Sequence, residues 1–376
     1  MLGPYTLGAE EELQIVDAES WDLSPHDYEA SARRWPEEAP EVDREIHRCV
    51  LEVKTPICAD GPEVARHLAR LRRRADRWAG AQGQRVLAAG LHPFGDWRVQ
   101  PVHQKAHYDH LMREFRDVAH GNLTYGLHLH VGLPDPATRM PVMNLLRHDL
   151  PLLLALSVSS PFFEGRDTGL HGWRHKVFDK YPRTGIPEPW ADEASYAAHR
   201  ERLIRTGCLE PGFMLWEDLR LHARYGTLEV RICDANPALW MNELLADLVQ
   251  ACAAAADLAV RRGTAPSPWP ATLIEENKWR ACRHGLMGGF VDWDREEEVT
   301  AREAFQRLLA RISEAAEGLG SLARLEQGLL RAFFLGTSAE RQRAVARGGD
   351  LRAVVRSLAD ETMTLSPEEG DRSLAA

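Results

Sequence analysis

The chain has 376 residues, enough for one large domain or two modest ones. Its 44% hydrophobic and 27% charged residues exclude global disorder. With 46 Lys and Arg against 56 Asp and Glu, a formal charge of -10, it lacks the basic excess that nucleic-acid binding draws on, and small polar ligands are the expected partners.

The N-terminal string MLGPYTLGAEEEL has no basic leader, so no signal peptide is expected. From Thr6 to Val16 the apolar residues Leu7, Ala9, Leu13 and Ile15 alternate with Glu10, Glu12 and Gln14, a period of two that predicts a strand. Glu11 alone interrupts its apolar face. Residues 17–44 carry many prolines and charges, and Cys49 to Thr55 predicts a second strand ended by Pro56. From Pro62 the spacing of Val64, Leu68, Leu71, Ala75 and Trp78 predicts a helix that Gly80 ends.

Further strands are expected at Arg85–Leu91, within Leu123–Leu133, and at Gly226–Cys233, where Leu228, Val230 and Ile232 alternate with Glu229, Arg231 and Cys233. Residues 141–160 and 239–262 read as buried helices. The second contains Asp247, Gln250 and Asp257, which are costly inside a bilayer, so no membrane span is expected and a cytoplasmic location is. Residues 164–215 read as loop-rich, 299–360 as helical, and the last dozen as frayed. Cys49, Cys58, Cys208, Cys233, Cys252 and Cys282 show no C-x-x-C spacing and are expected to be reduced core residues. This order predicts an α+β chain forming a single catalytic domain over 1–376, with a sheet-forming core at about 5–290 and a helical part at about 299–360.

Four of the strands carry chemically matched polar pairs at i, i+2: Glu10 and Glu12, Glu52 and Lys54, His128 and His130, Glu229 and Arg231. That spacing puts both members of a pair on one face of a strand. If the strands share a sheet, four carboxylates converge. Crowded carboxylates repel and need a cation. Oxygen ligands with one imidazole suit Mg²⁺ or Mn²⁺ better than zinc. The plainer alternative is an antiparallel sheet showing a merely solvated face to water.

The strings LGAEEELQIVD, LEVKTP, AAGLHPFG, YGLHLHVGL, SSPFFEGRDTG, YPRTGIP, YGTLEVRICDANP and ENKWRACRHGL, in this order from about Tyr5 to Phe290, resemble the glutamate-cysteine ligase type 2 family, the YbdK-like carboxylate-amine ligases. The resemblance implies a glutamine synthetase/guanido kinase-like fold, in which an antiparallel sheet packed by helices forms a cup for divalent ions and ATP. It implies that Glu10, Glu12, Glu52, His128 and Glu229 hold the metal and that Arg231 binds nucleotide phosphate. The implied reaction is ATP-dependent and ADP-forming: the γ-carboxylate of glutamate is joined through an acyl phosphate to an amine, cysteine by default. It also makes a homodimer plausible.

Arg183 in YPRTGIP is a candidate clamp for a substrate carboxylate or the acyl phosphate, with a surface arginine in a turn as the alternative. Arg166 is a weaker candidate of the same kind. Asn277, Arg280 and Arg283 could approach the phosphates from a helix start or serve as helix caps and salt bridges. Lys54 and His130 are expected to steer the ligands, and His92 to serve a structural turn. Two other classes stay open. One is a metal-dependent amidase or peptidase built on His128-Leu129-His130; the other is a non-catalytic nucleotide or metal sensor.

Overall fold

Strand β1 (Leu7–Asp17) runs through the middle of a seven-stranded antiparallel sheet. The computed structural model describes residues 5–26, 41–211, 215–222 and 224–364; the expected frayed end beyond 364 and most of the proline-rich stretch before 41 lie outside them. The other strands are β2 (Val42–Arg44), β3 (Val50–Lys54), β4 (Gln84–Leu87), β5 (Gly126–Gly132), β6 (Leu219–His222) and β7 (Thr227–Asp234). Their order is β6-β7-β5-β1-β3-β2, and β4 pairs with the C-terminal end of β1, past the end of β5. Each expected strand has a counterpart, although the one expected at Arg85–Leu91 covers only Gln84–Leu87. β2 and β6 are additional, each too short to give a periodic signal of its own.

One face of the sheet is apolar and dry: Leu7, Leu13, Leu51, Val53, Leu127, Leu129, Leu228 and Val230 are buried. Helix α1 (Gly61–Gly80) packs on it through Val64, Leu68, Leu71, Ala75 and Trp78, the stripe read from the sequence. Asp60 caps this helix, its side chain accepting from the Glu63 N–H at 2.9 Å. Asp60→Ala is expected to cost about 1 kcal/mol by leaving that donor unpaired. The check is the urea midpoint; an unchanged midpoint would assign no stabilising role to the cap.

The expected helix at 141–160 is two, α2 (Arg139–Leu146) and α3 (Leu150–Ser157), separated by a tight 3-10 turn at Arg147–Asp149. Pro151 explains the break, since proline belongs in the first turn of a helix and not in its interior. The region expected to be loop-rich contains α4 (Glu193–Arg205), opened by an Asp192/Ser195 capping box. Only Tyr196 of that helix is buried, so it has no apolar stripe for periodicity to detect.

Helix α5 (Leu239–Arg262) matches its expected span and packs against α1, α2 and the C-terminal helices. It is followed by α6 (Ala271–His284), the hairpin β8 (Gly289–Asp292) and β9 (Glu297–Thr300), and helices α7 (Ala301–Leu319), α8 (Leu322–Leu335), α9 (Ser338–Val345) and α10 (Leu351–Met363). Five cysteines are buried and free, as expected; Cys208 is exposed, outside the core. Among the described residues no helix is long and apolar enough to cross a membrane.

Candidate active site

The register of the sheet sets the polar face. Residues directly opposite in an antiparallel pair share a face. Glu10 lies opposite His128 on one side and Lys54 on the other, while Glu12 lies opposite Glu52. Glu229 faces His130 across the β7–β5 pair and Arg220 across the β6–β7 pair. A register shift between Val230 and Cys233 places an extra residue in β7. This bulge turns Cys233 to stand opposite Leu127 in the buried layer, correcting the simple alternation expected there. Arg231 stays on the polar side and donates to Glu229 at 2.6 Å.

The polar face lines a cavity of about 550 Å³. Glu10, Glu12, Glu52, His128, Arg220 and Arg231 border it, joined by Arg174 and Glu45, and Phe178, Tyr181 and Trp216 form an aromatic wall. The Tyr181 and Trp216 rings stand 4.6 Å apart. Two triads of side chains each bring ligand atoms within 4.8 Å of one another: Glu10, His128 and Glu229, and Glu12, Glu52 and His128.

Electrostatics divide these carboxylates. Burial alone would raise Glu229, but the charges of Arg231 and Arg220 outweigh it and hold the group well below the usual carboxylate range. Arg220 grips both Glu229 oxygens, at 2.6 and 3.1 Å. Glu52 goes the other way, pushed well above the usual range by burial and by the charges of Glu45 and Glu10, despite Lys54 at 3.0 Å. Glu45 is pushed up to about 7 by burial and by Glu12. Burial and the nearby Arg231 charge lower His128 and favour its neutral ring, the form that ligates metal.

The donor set fits a hard divalent cation. Both ring nitrogens of His128 are buried without a hydrogen-bond partner, although Glu10 stands 3.7 Å from Nδ1. Around them lie carboxylates whose mutual repulsion a cation would relieve. Lys54 stands 3.0 Å from Glu52 and bonds Asp43, and His130 stands 3.8 Å from Glu10 and bonds Thr227 at 2.9 Å.

The structure thus brings Glu10, Glu12, Glu52, His128, Glu229 and Arg231 together. It does not bring Asn277 or Arg280 to this cavity. The Asn277 amide both donates to and accepts from the Val291 backbone at 2.8 Å, pinning α6 to β8 beside a separate cavity of about 400 Å³. Arg280 pairs with Glu276 and Glu298. Arg283 bonds the Gly169 carbonyl, and Arg166 is exposed. Arg183 adopts a left-handed φ of 62 and is absent from the cavity lining, with Nε buried and unpartnered. His92 holds a turn, as expected: Nδ1 accepts from the Gly95 N–H at 2.7 Å and Nε2 meets the Trp21 carbonyl at 3.0 Å.

Sequence reasoning missed Arg220 and Arg174. Arg220 sits in the four-residue strand Leu219–His222, too short for its alternation to mark it. Arg174 sits in a five-residue helix, where no periodicity can mark it.

The sequence profile described as Glutamate-cysteine ligase family 2 matches residues 6–357. A relative from Sorangium cellulosum, provisionally named glutamate–cysteine ligase 2, is 39% identical over 368 residues, covering 96% of this chain and 96% of its own. One from Rubrobacter xylanophilus, provisionally named glutamate–cysteine ligase 2-3, is 40% identical over 362 residues, 96% of this chain and 97% of its own. Among solved structures, a bifunctional glutathione synthetase from Pasteurella multocida aligns with a TM-score of 0.70 at 17% identity, over 96% of this chain and 53% of that one, so this chain spans about half its length. A glutamate–cysteine ligase from Francisella tularensis in complex with AMP aligns with a TM-score of 0.67 at 11% identity, over 99% and 92%. At these identities the structural likeness is one of fold.

Proposed function

Because the chain belongs to glutamate-cysteine ligase family 2, we propose that it is an ATP-dependent carboxylate–amine ligase joining the γ-carboxylate of glutamate to an amine, with cysteine as the default acceptor. The observation that carries this reading is that Glu10, Glu12, Glu52 and His128 border one cavity, with Glu229 buried behind it within ligand distance of Glu10 and His128. These five residues are the proposed metal ligands, for Mg²⁺ or Mn²⁺. A bound divalent cation would neutralise charge on the phosphate oxygens during transfer.

The reaction has two displacements. A γ-carboxylate oxygen of glutamate attacks the γ-phosphorus of ATP, the bond to the bridging oxygen breaks, and ADP leaves. The amine nitrogen then attacks the acyl carbon of the acyl phosphate, the carbon–oxygen bond breaks, phosphate leaves, and the amine proton passes to solvent. Neither displacement needs a protein nucleophile, so the protein contributes position and charge. Arg220 and Arg231 fix the Glu229 carboxylate between them. The Nε of Arg231, buried and without a partner, is a donor left for a phosphate oxygen.

Protein mixed with Mg²⁺, ATP, glutamate and a panel of amines including cysteine is expected to release phosphate only when an acceptor is present. Silence across the panel, with Mg²⁺ bound, would sink the reading. Amide hydrolysis that persists without nucleotide would support a metal-dependent amidase instead.

A further inference from the structure

Among the described residues three arginines line the cavity, and they are not equivalent. Arg220 and Arg231 spend donors on Glu229 at 3.1 Å or less. Arg174 is 3% exposed, as deeply buried as His128. Its Nε has no hydrogen-bond partner, and its Nη1 makes one long contact, 3.4 Å to the Arg231 carbonyl. The nearest carboxylate oxygen is Asp234 Oδ1 at 4.0 Å, outside hydrogen-bond reach. The other Asp234 oxygen is taken by the Ser159 N–H and the Ser160 hydroxyl. A buried guanidinium carries five donors and a full charge, and one long hydrogen bond and one carboxylate at 4.0 Å leave most of those donors to be met.

The surroundings fix its direction. Ser160 holds the Arg174 backbone, accepting its N–H at 3.0 Å while donating to Asp234 at 2.7 Å. On the opposite side the chain gives way: a Cβ at Gly126 would stand 2.4 Å from Arg174 Nη2 and 3.0 Å from His128 Nε2. Glycine at this first position of β5 therefore leaves room for the guanidinium beside the imidazole shared by both carboxylate triads.

We infer that Arg174 binds the γ-phosphoryl group of the nucleotide through an oxyanion, between the His128 triads and the aromatic wall; this rests on the ATP-dependent reading above. The group that suits a cation site on one side and a guanidinium with donors to spare on the other is the most highly charged one in the reaction, and that is the terminal phosphoryl. Guanidinium is also the side chain suited to grip two of its oxygens at once.

The test is binding of ATP and ADP, each with Mg²⁺, to the wild type and to Arg174→Met, which keeps the apolar stem. The wild type should prefer ATP, and the variant should lose that preference by about tenfold or more, the worth of a charge-assisted hydrogen bond, with ADP affinity little changed. If Arg174→Met does not fold, Arg174→Lys carries the test, because it keeps the charge but loses the fork, and a several-fold loss of the same preference is expected. An ATP-to-ADP ratio equal to that of the wild type overturns the assignment while leaving the ligase reading intact. Equal weakening of both nucleotides overturns it as well, since that marks a structural role. So does a change confined to the Michaelis constant for glutamate, which would give Arg174 to the substrate carboxylate. Wild type that binds neither nucleotide overturns the assignment together with the ligase reading.

Discussion

Glu52→Gln is expected to lower turnover about 10²–10³-fold and to raise the Mg²⁺ concentration needed for half-maximal rate, as when one preorganised electrostatic contact is lost. The side chain is buried on the polar face opposite Glu12 and belongs to the triad with Glu12 and His128. Glutamine keeps its size and removes the anionic oxygen. Without metal the variant should be at least as stable as the wild type, because burial and the charges of Glu45 and Glu10 already favour the uncharged form of Glu52. The separation comes from thermal melts with and without Mg²⁺. A cation bound only by the folded state raises the melting temperature by mass action, so the wild type should gain and the variant should gain much less. Equal Mg²⁺-dependent shifts, or equal turnover at saturating Mg²⁺, would remove Glu52 from the site.

The second large effect lies on the other face of the same sheet, behind β1. Arg72→Met is expected to destabilise the protein by about 3–5 kcal/mol, the cost of leaving one member of a buried ion pair alone. Both Arg72 and Glu11 have 0% exposed side chains. The guanidinium reaches both Glu11 oxygens and also bonds the Asn236 and Pro237 carbonyls at 2.7 and 2.6 Å. Asn242 from α5 adds a bond to Glu11 at 3.0 Å. This knot ties β1, α1 and α5 together directly behind Glu10 and Glu12. Denaturant unfolding measures the loss. The double change Arg72→Met with Glu11→Met should recover much of it, because no lone charge remains. A single variant within about 1 kcal/mol of the wild type would mean that water or another partner reaches Glu11.

The same residues mark how far the sequence could be read. Glu11 was visible as the one charge on an apolar strand face. Arg72 sits in the apolar stripe of α1, three residues before Ala75 and four after Leu68. Two interruptions of two dry faces are the signature of a buried pair, but which charge meets which depends on how the helix crosses the sheet. Helix α4 escaped notice for the opposite reason, since a helix that buries one side chain leaves no period in its sequence. The candidate nucleotide residues Asn277 and Arg280 were placed by motif alone. In the fold both side chains face β8 and β9, because they hold the hairpin to α6.

By itself the sequence determined which residues stand on which side of each long strand, up to the bulge in β7, because side chains alternate with a period of two and burial filters them by polarity. It therefore presented Glu10, Glu12, Glu52, His128 and Glu229 as one chemical set. Tertiary structure alone decided the order of the strands, the bulge that turns Cys233 inward while Arg231 stays on Glu229, and the pairing of Arg220 with Glu229. It also delivered Arg174 to the wall of the cavity from a stretch with no pattern to read. Those outcomes arise from contacts between residues far apart along the chain, and periodicity, a local property, carries no record of them.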